Sequence, residues 1–289
     1  PDMSSYWELF NYGKAVLKKS GVAETEPDAW LLMEYVFDID RTWYFLHQEE
    51  EAGKEKAEQY ARLLEKRAQH IPLQQLTCQA WFYGLEFYVN EHVLIPRQDT
   101  EILVEEVLKE AGGRKGLKVL DLCTGSGCIL LSLLEHLEQA QGMGADLSEQ
   151  ALLVAEKNAQ IQGKTKQTRF VRSDLFEAVC GQFDILVSNP PYIQTAVIRE
   201  LMDEVRLYEP RMALDGHEDG LYFYREIAAY AGEYLKENGI LAFEIGYDQG
   251  EAVSGLLEKE GYREIRIVKD LAGLDRVVIG RKQQEEKYV

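Results

Sequence analysis

Leu117-Lys118-Val119-Leu120-Asp121-Leu122-Cys123-Thr124-Gly125-Ser126-Gly127 is an apolar run that breaks into a short glycine loop, with a helical pattern over 127–137 directly after it. A strand, a glycine turn and a helix in that order leave backbone N–H groups free at the helix start, where α/β proteins hold ligands. The same alternation continues outward. Residues 99–110 predict a helix, 142–146 a strand, 148–162 a helix, and 169–172 and 183–188 two more strands. A long helix is expected over 221–238 with Gly239 as its C-cap, then a strand at 240–245. Two short strands at 262–269 and 276–280 flank Asp270-Leu271-Ala272-Gly273, which suggests an antiparallel pair at the sheet edge. Alternating strands and helices predict a parallel α/β sheet.

The chain upstream follows a different pattern. Between residues 6 and 70 the pattern is helical, as where Tyr60, Leu63 and Leu64 recur at three- and four-residue spacing in the charged stretch 55–69. Pro27 sits where a first helical turn accepts it. Trp81-Phe82-Tyr83-Gly84-Leu85-Glu86-Phe87-Tyr88-Val89 reads as a hairpin with Gly84 near its turn. The expected organisation is a helical N-terminal domain over 1–75, a hairpin linker over 76–96 and a catalytic domain over 97–289. The helices serve either as a plain capping bundle or as a docking surface for a macromolecular substrate.

Composition narrows the function classes. With 289 residues and 46% hydrophobic content the chain can build a real core. It has no apolar run approaching the ~20 residues of a membrane span, and its first eight residues lack a basic segment followed by an apolar one. A soluble cytoplasmic protein, expected as a monomer, follows. Cys78, Cys123, Cys128 and Cys180 form no C-x-x-C pair, so reduced thiols and no metal site are expected. The net charge of −18 disfavours nucleic acid, whose binding depends on Lys and Arg replacing condensed counterions.

Three further features specify the ligand. Asp146 ends the strand after the glycine loop, placed to take a ribose hydroxyl pair. A dinucleotide fingerprint from Gly125 needs glycine at 130, where Leu130 stands, so the G-S-G form suits a nucleoside without phosphates such as S-adenosylmethionine. Ser173-Asp174-Leu175-Phe176, after the next strand, puts Asp174 where it can accept from an adenine amino group. The alternative for either Asp is a helix cap.

Asn189-Pro190-Pro191-Tyr192 then ends the strand 183–188. Two prolines stop the strand and stiffen the turn. The Asn189 Oδ1 and the Pro190 carbonyl can together accept both hydrogens of a planar NH2 group, while Tyr192 can stack on its plane. Two such acceptors favour pyramidalisation and free the nitrogen lone pair for attack on a cationic methyl donor. An ordinary strand-ending turn is the bland alternative.

These residues closely resemble the HemK/PrmC family of methyltransferases, which modify the glutamine side-chain amide of peptide chain release factors. The resemblance covers nearly the whole chain. It rests on Leu94-Ile95-Pro96-Arg97, Asp99-Thr100-Glu101, the loop 121–127, Asp146-Leu147-Ser148, Ser173-Asp174-Leu175-Phe176 and Ser188-Asn189-Pro190-Pro191-Tyr192-Ile193. It continues through Glu209-Pro210-Arg211, Ala213-Leu214-Asp215, Asp219-Gly220-Leu221, Tyr224-Arg225, Glu244-Ile245-Gly246 and Asp270-Leu271-Ala272-Gly273-Leu274-Asp275-Arg276. The resemblance implies a class I, Rossmann-like methyltransferase domain with a seven-stranded sheet, behind a small all-α domain that helps dock the substrate. The substrate implied is the glutamine of a Gly-Gly-Gln loop in a class 1 release factor, and the cofactor is S-adenosylmethionine.

By the same resemblance Asp121, Cys123, Thr124, Gly125, Ser126, Gly127, Asp146, Leu147, Asp174, Leu175 and Asn189 bind the cofactor. Asn189, Pro190 and Tyr192 are catalytic, and Pro191, Arg97 and Glu101 join them in binding substrate, with Thr100 near the site mouth. A salt bridge that fixes the linker is the alternative for Arg97 and Glu101. The chain departs from the family pattern at Cys123, usually glycine, at Gln98, usually proline, and at His217-Glu218, where glycine is common. Competing functions are methylation of a ribosomal-protein glutamine, amino-methylation of adenine in nucleic acid, and an inactive methyltransferase-like subunit.

Overall fold

The computed structural model describes residues 5–283. At the N-terminus α1 (Tyr6–Lys19), α2 (Thr25–Phe37), α3 (Arg41–His47), α4 (Lys54–Ala68) and α5 (Leu73–Thr77) form one unit around Leu9, Leu17, Leu32, Met33, Tyr60 and Leu64. Ser5 and Glu8 start α1 with a reciprocal capping box, and Asp40 caps α3 through the Trp43 N–H at 2.7 Å. Gly13 is required where α1 meets α4. A Cβ there would lie 2.3 Å from the Tyr60 hydroxyl, which instead donates to the Ala29 carbonyl at 2.9 Å. Beyond the helical pattern read between residues 6 and 70, Pro72 caps one more short helix, α5.

The second unit begins with a hairpin, β1 (Gln79–Phe82) and β2 (Leu85–Tyr88), and continues with α6 (Glu101–Ala111), β3 (Lys118–Leu122), α7 (Cys128–His136), β4 (Gln141–Asp146) and α8 (Glu149–Ile161). Then follow β5 (Thr168–Arg172), β6 (Phe183–Ser188), α9 (Asp203–Tyr208), α10 (Tyr222–Tyr234), β7 (Leu235–Glu244), α11 (Gly250–Lys259), β8 (Arg263–Lys269) and β9 (Asp275–Arg281). Apart from the separate β1-β2 hairpin, the strands make one seven-stranded sheet in the order β5-β4-β3-β6-β7-β9-β8, parallel except where β9 pairs antiparallel with β7 and β8. Separate apolar clusters cover the sheet, one around Val119, Ile185 and Val277, the other around Leu120, Leu186 and Leu241. Alternate residues of each strand supply them, as the two-residue pleat requires.

One excursion crosses this division. Met202–Tyr208, which contains α9, belongs with the helical unit although the chain before and after it belongs with the sheet. Its Glu204 accepts from Arg67 Nη2 at 2.5 Å, the Tyr208 hydroxyl donates to the Gln69 carbonyl at 2.8 Å, and Gln75 Nε2 donates to the Tyr208 carbonyl at 2.9 Å. Arg67 is 4% exposed and also donates to Asp28 at 2.8 Å, so one guanidinium neutralises two carboxylates.

The helix expected over 221–238 stops at Tyr234, and Gly239 is no C-cap but lies inside β7. Leu235 is fully buried against Phe183, so the strand starts there. The chain bulges over 236–239, with Asn238 at φ 59°, and regains register at Ile240 beside Ile185. Burial of Leu235 outweighs the helical pattern of the polar residues that follow it.

Candidate active site

The order of the sheet builds the site. β3 lies between β4 and β6, and beyond β6 the sheet continues in the opposite direction of winding, so the crevice opens past the carboxyl ends of β3 and β6. The register pairs Leu122 with Ser188, which brings the loop after one strand beside the turn after the other. Ser188 fastens them further, donating to the Leu122 carbonyl at 2.6 Å.

A cavity of about 190 Å3 opens at that junction. Its walls include Cys123, Thr124, Gly125, Ser126, Asp146, Leu147, Asp174, Leu175, Asn189, Pro191, Arg97 and Thr100. Other proposed residues stand back from it. Asp121 is fully buried beneath the loop and accepts from the Thr124 hydroxyl at 2.7 Å. Gly127 caps α7 at φ +79°, in a space where a Cβ would meet the Ala155 Cβ at 3.3 Å. The N–H of Gly125 donates to Asp146 Oδ2 at 2.9 Å and that of Ser148 to Asp146 Oδ1 at 3.0 Å. The carboxylate is thereby aimed at the cavity with acceptor sites to spare.

Leu130, which replaces a third glycine, lies on α7 and packs on β4, where a Cβ at Gly142 would lie 2.6 Å from its Cδ1. The close approach of helix to strand is bought here by a glycine on the strand. Cys123 and Leu175 both line the cavity with left-handed backbones, φ 59° and 47°. Side chains other than glycine, Asn or Asp rarely adopt that conformation, and strain of this kind gathers at functional sites.

Electrostatics favour a cationic guest. Asp121, Asp146 and Asp174 form no ion pair with any Lys or Arg among the described residues, although two of them line the cavity and the third lies under its floor. Burial pushes the Asp121 carboxyl up to about 7, opposed by the Thr124 hydroxyl. Burial also raises Asp146, against the N–H groups of Ser148 and Gly125. Asp146 and Asp174 beside an apolar wall of Leu147, Leu175, Ile129 and Ala151 fit a nucleoside that carries positive charge, which S-adenosylmethionine is.

On the other side of the cavity the Asn189 side chain makes no hydrogen bond to any described residue, and the Pro190 carbonyl accepts none. Pro190 and Tyr192 do not line the cavity. Tyr192 packs instead against the core below the turn, with its hydroxyl on Glu244 at 3.2 Å. Arg97 reaches the wall but is committed to Glu209, whose other oxygen accepts from the Ile95 N–H at 2.9 Å. Glu101, expected to bind substrate, does not line the cavity and accepts the Tyr83 N–H at 2.8 Å, fixing the hairpin turn. The salt-bridge alternative describes the contact that Arg97 makes, whereas Glu101 holds a backbone N–H and no cation among the described residues.

Sequence reasoning passed over Asn158, which is fully buried and holds the β2 backbone through both Tyr88 groups while donating to the Ser126 carbonyl at 2.9 Å. Its only sequence signal is a polar residue on the apolar face of α8. Phe223 and Met212 were missed as cavity walls because neither carries a polar group that marks it.

Residues 8–77 match the model of the PrmC N-terminal domain and residues 97–206 that of the methyltransferase small domain. The release factor glutamine methyltransferase of Agrobacterium fabrum is 42% identical over 92% of this chain and 93% of its own length. The chain belongs to the release factor glutamine methyltransferase family. A member from Clostridium acetobutylicum is 40% identical over 92% of this chain and 94% of its own. A methyltransferase from Pyrococcus furiosus, solved by crystallography, superposes with a TM-score of 0.52 at 17% identity over 79% of this chain and 100% of its own, and so shares the fold. Members of the release factor glutamine methyltransferase family are methyltransferases, and the seven-stranded sheet with its helical N-terminal unit is the class I form expected from the sequence.

Proposed function

We propose that this enzyme methylates the side-chain amide nitrogen of the glutamine in the Gly-Gly-Gln loop of class 1 peptide chain release factors, with S-adenosylmethionine as donor. The observation that carries this reading is the Asn189 side-chain amide, unpartnered among the described residues, on the wall of a cavity that the glycine loop and Asp146 also line. Asp146 would take the ribose hydroxyls and Asp174 the adenine amino group. The loop 123–127 would cover the rest of the nucleoside. When bound, S-adenosylmethionine supplies an electrophilic methyl group on a positively charged sulfur.

The residues of the turn do the remaining work. Asn189 Oδ1 and the Pro190 carbonyl accept the two amide hydrogens and hold the nitrogen at the cavity edge. Both acceptors pull more strongly as the nitrogen becomes pyramidal and positive, so they stabilise the transition state more than the ground state. The extra proton then passes to solvent. No basic side chain is needed for attack, because the nitrogen lone pair, once freed, is the nucleophile.

The test is transfer of labelled methyl to three separate substrates: a release factor, a mixture of ribosomal proteins, and DNA. Label on the release factor, lost when its Gly-Gly-Gln glutamine is changed to Ala, is the expected result. Label confined to ribosomal protein or to DNA would overturn the assigned target.

A further inference from the structure

Tyr192 is held at both ends, by the last residue of β7 and by the chain that follows it. Its hydroxyl donates to Glu244 Oε1 at 3.2 Å, and its carbonyl accepts from Gln249 Nε2 at 3.0 Å. Gln249 also donates to the Gly220 carbonyl at 3.3 Å and accepts the Gly246 N–H at 2.8 Å. A single buried amide therefore joins three segments of chain. Two glycines complete the enclosure, since a Cβ at Gly216 would lie 2.7 Å from the Tyr192 Cα and one at Gly220 would lie 2.5 Å from the Tyr192 carbonyl oxygen.

Glu244 is an expensive way to hold a tyrosine. It is 3% exposed, and its Oε2 has no hydrogen-bond partner. A buried carboxylate with idle acceptor capacity destabilises the fold relative to an apolar side chain of the same size. Its backbone is fixed as well, by the Tyr224 hydroxyl on its carbonyl at 2.7 Å. The Thr100 hydroxyl and the Arg276 charge offset part of that cost, and the side-chain hydrogen bond the carboxylate makes is to Tyr192. Between Tyr192 and Asn189 stand two prolines whose fixed φ angles leave the turn few ways to absorb a displacement of Tyr192, so part of it reaches the Pro190 carbonyl. The amide-gripping pair has no other side-chain hydrogen bond among the described residues to hold it in place.

We propose that Glu244 and Gln249 are positioning residues for methyl transfer, holding the Asn189 and Pro190 acceptors in register with the substrate amide through the two ends of Tyr192. This inference rests on the role given to Asn189 and Pro190 above. Neither residue reaches the cavity, so their effect falls more on turnover than on cofactor binding.

The experiment measures kcat and KM for a release factor, and the Kd for S-adenosylmethionine, in Glu244→Ala, Gln249→Ala, Glu244→Gln and Tyr192→Phe. A misplacement of the acceptors by about 1 Å is worth about a hundredfold, which is the expected loss of kcat in the two Ala variants, with Kd for the cofactor held within roughly twofold. Glu244→Gln keeps an oxygen that accepts the Tyr192 hydroxyl, so it should recover most of that loss. Tyr192→Phe gives up one hydrogen bond and should lose about tenfold. Val107→Ala, a cavity in the other core cluster, controls for lost stability and should leave kcat unchanged. Turnover by both Ala variants within about twofold of wild type overturns the inference and leaves the assigned reaction standing. If wild-type enzyme transfers no methyl to the release factor, the assigned reaction fails instead. Crystal structures of the Ala variants then decide the positioning: a displaced Asn189-Pro190 pair upholds it, and an unmoved pair overturns it.

Discussion

Replacing Asp121 by Asn should change how stability depends on pH, by an amount that follows from its burial. Asp121 is fully buried, its Oδ2 takes the Thr124 hydroxyl, and its Oδ1 has no partner. Burial raises its pKa from 3.8 to about 7 in the folded chain. The folded state therefore binds a proton more tightly than the unfolded state. Wild-type stability contributed by this group is fully present below pH 3.8 and is lost as pH rises toward about 7. The slope is about 1.4 kcal/mol per pH unit inside that window, and the curve is flat above it. Between pH 5 and pH 8 the wild type should lose about 3 kcal/mol that the Asn variant, which does not titrate, retains. Urea unfolding of both proteins at half-unit steps of pH gives the difference directly, because other titrating groups cancel. Parallel curves, or a variant that gains relative stability as pH falls, would refute the picture of Asp121 as a carboxyl held neutral under the cofactor loop.

Other expectations follow from the same contacts. Asn189→Ala should lower kcat for glutamine methylation by about 10²–10³, the effect of deleting one preorganised transition-state partner, and full activity in a methyl-transfer assay would remove Asn189 from the mechanism. Arg67→Met leaves Asp28 and Glu204 without their shared cation, and should cost about 3–5 kcal/mol in a urea melt, with Asp28→Asn in the same chain restoring part of it. Cys123→Gly relieves a left-handed backbone at φ 59° and should stabilise the protein by about 1 kcal/mol; a lower melting temperature would show that the thiol makes a compensating contact. Affinity for S-adenosylmethionine, followed by calorimetry, should weaken on acidification at a higher pH than an ordinary carboxylate titrates, because burial raises Asp146. Asp146→Asn should abolish that pH dependence.

Short-range chemistry made much of the fold legible. The strand at Phe183–Ser188 matches its expected bounds, and Cys128–His136 and Glu149–Ile161 fall within a residue of theirs, because each carries its own periodicity and caps. Ser148 caps α8 through the Ala151 N–H at 3.1 Å, as a Ser before a helical run should. The end of α10 could not be read. Residues 235–238 look helical in isolation, and only Phe183 on the neighbouring strand shows why Leu235 must be extended. Glu101 was misplaced for a similar reason. A charged residue near a cluster of functional motifs invites a functional role, yet its partner is a backbone N–H in a distant hairpin.

The sequence by itself determined the chemistry: a glycine loop without a third glycine, an acid ending the next strand, and a proline-stiffened turn with an amide acceptor. Each of these is local, since the properties involved belong to single side chains or to the φ angles of neighbouring residues. The tertiary structure decided which of them meet. The neighbouring positions of β3 and β6 set the loop and the turn side by side, although the paired residues Leu122 and Ser188 are far apart in the chain. It also decided what holds the turn, because Glu244 and Gln249 are distant in sequence from Tyr192 and close to it only through the pairing of β6 with β7. Strand order arises from the burial of both sheet faces at once, a condition that no single segment can express.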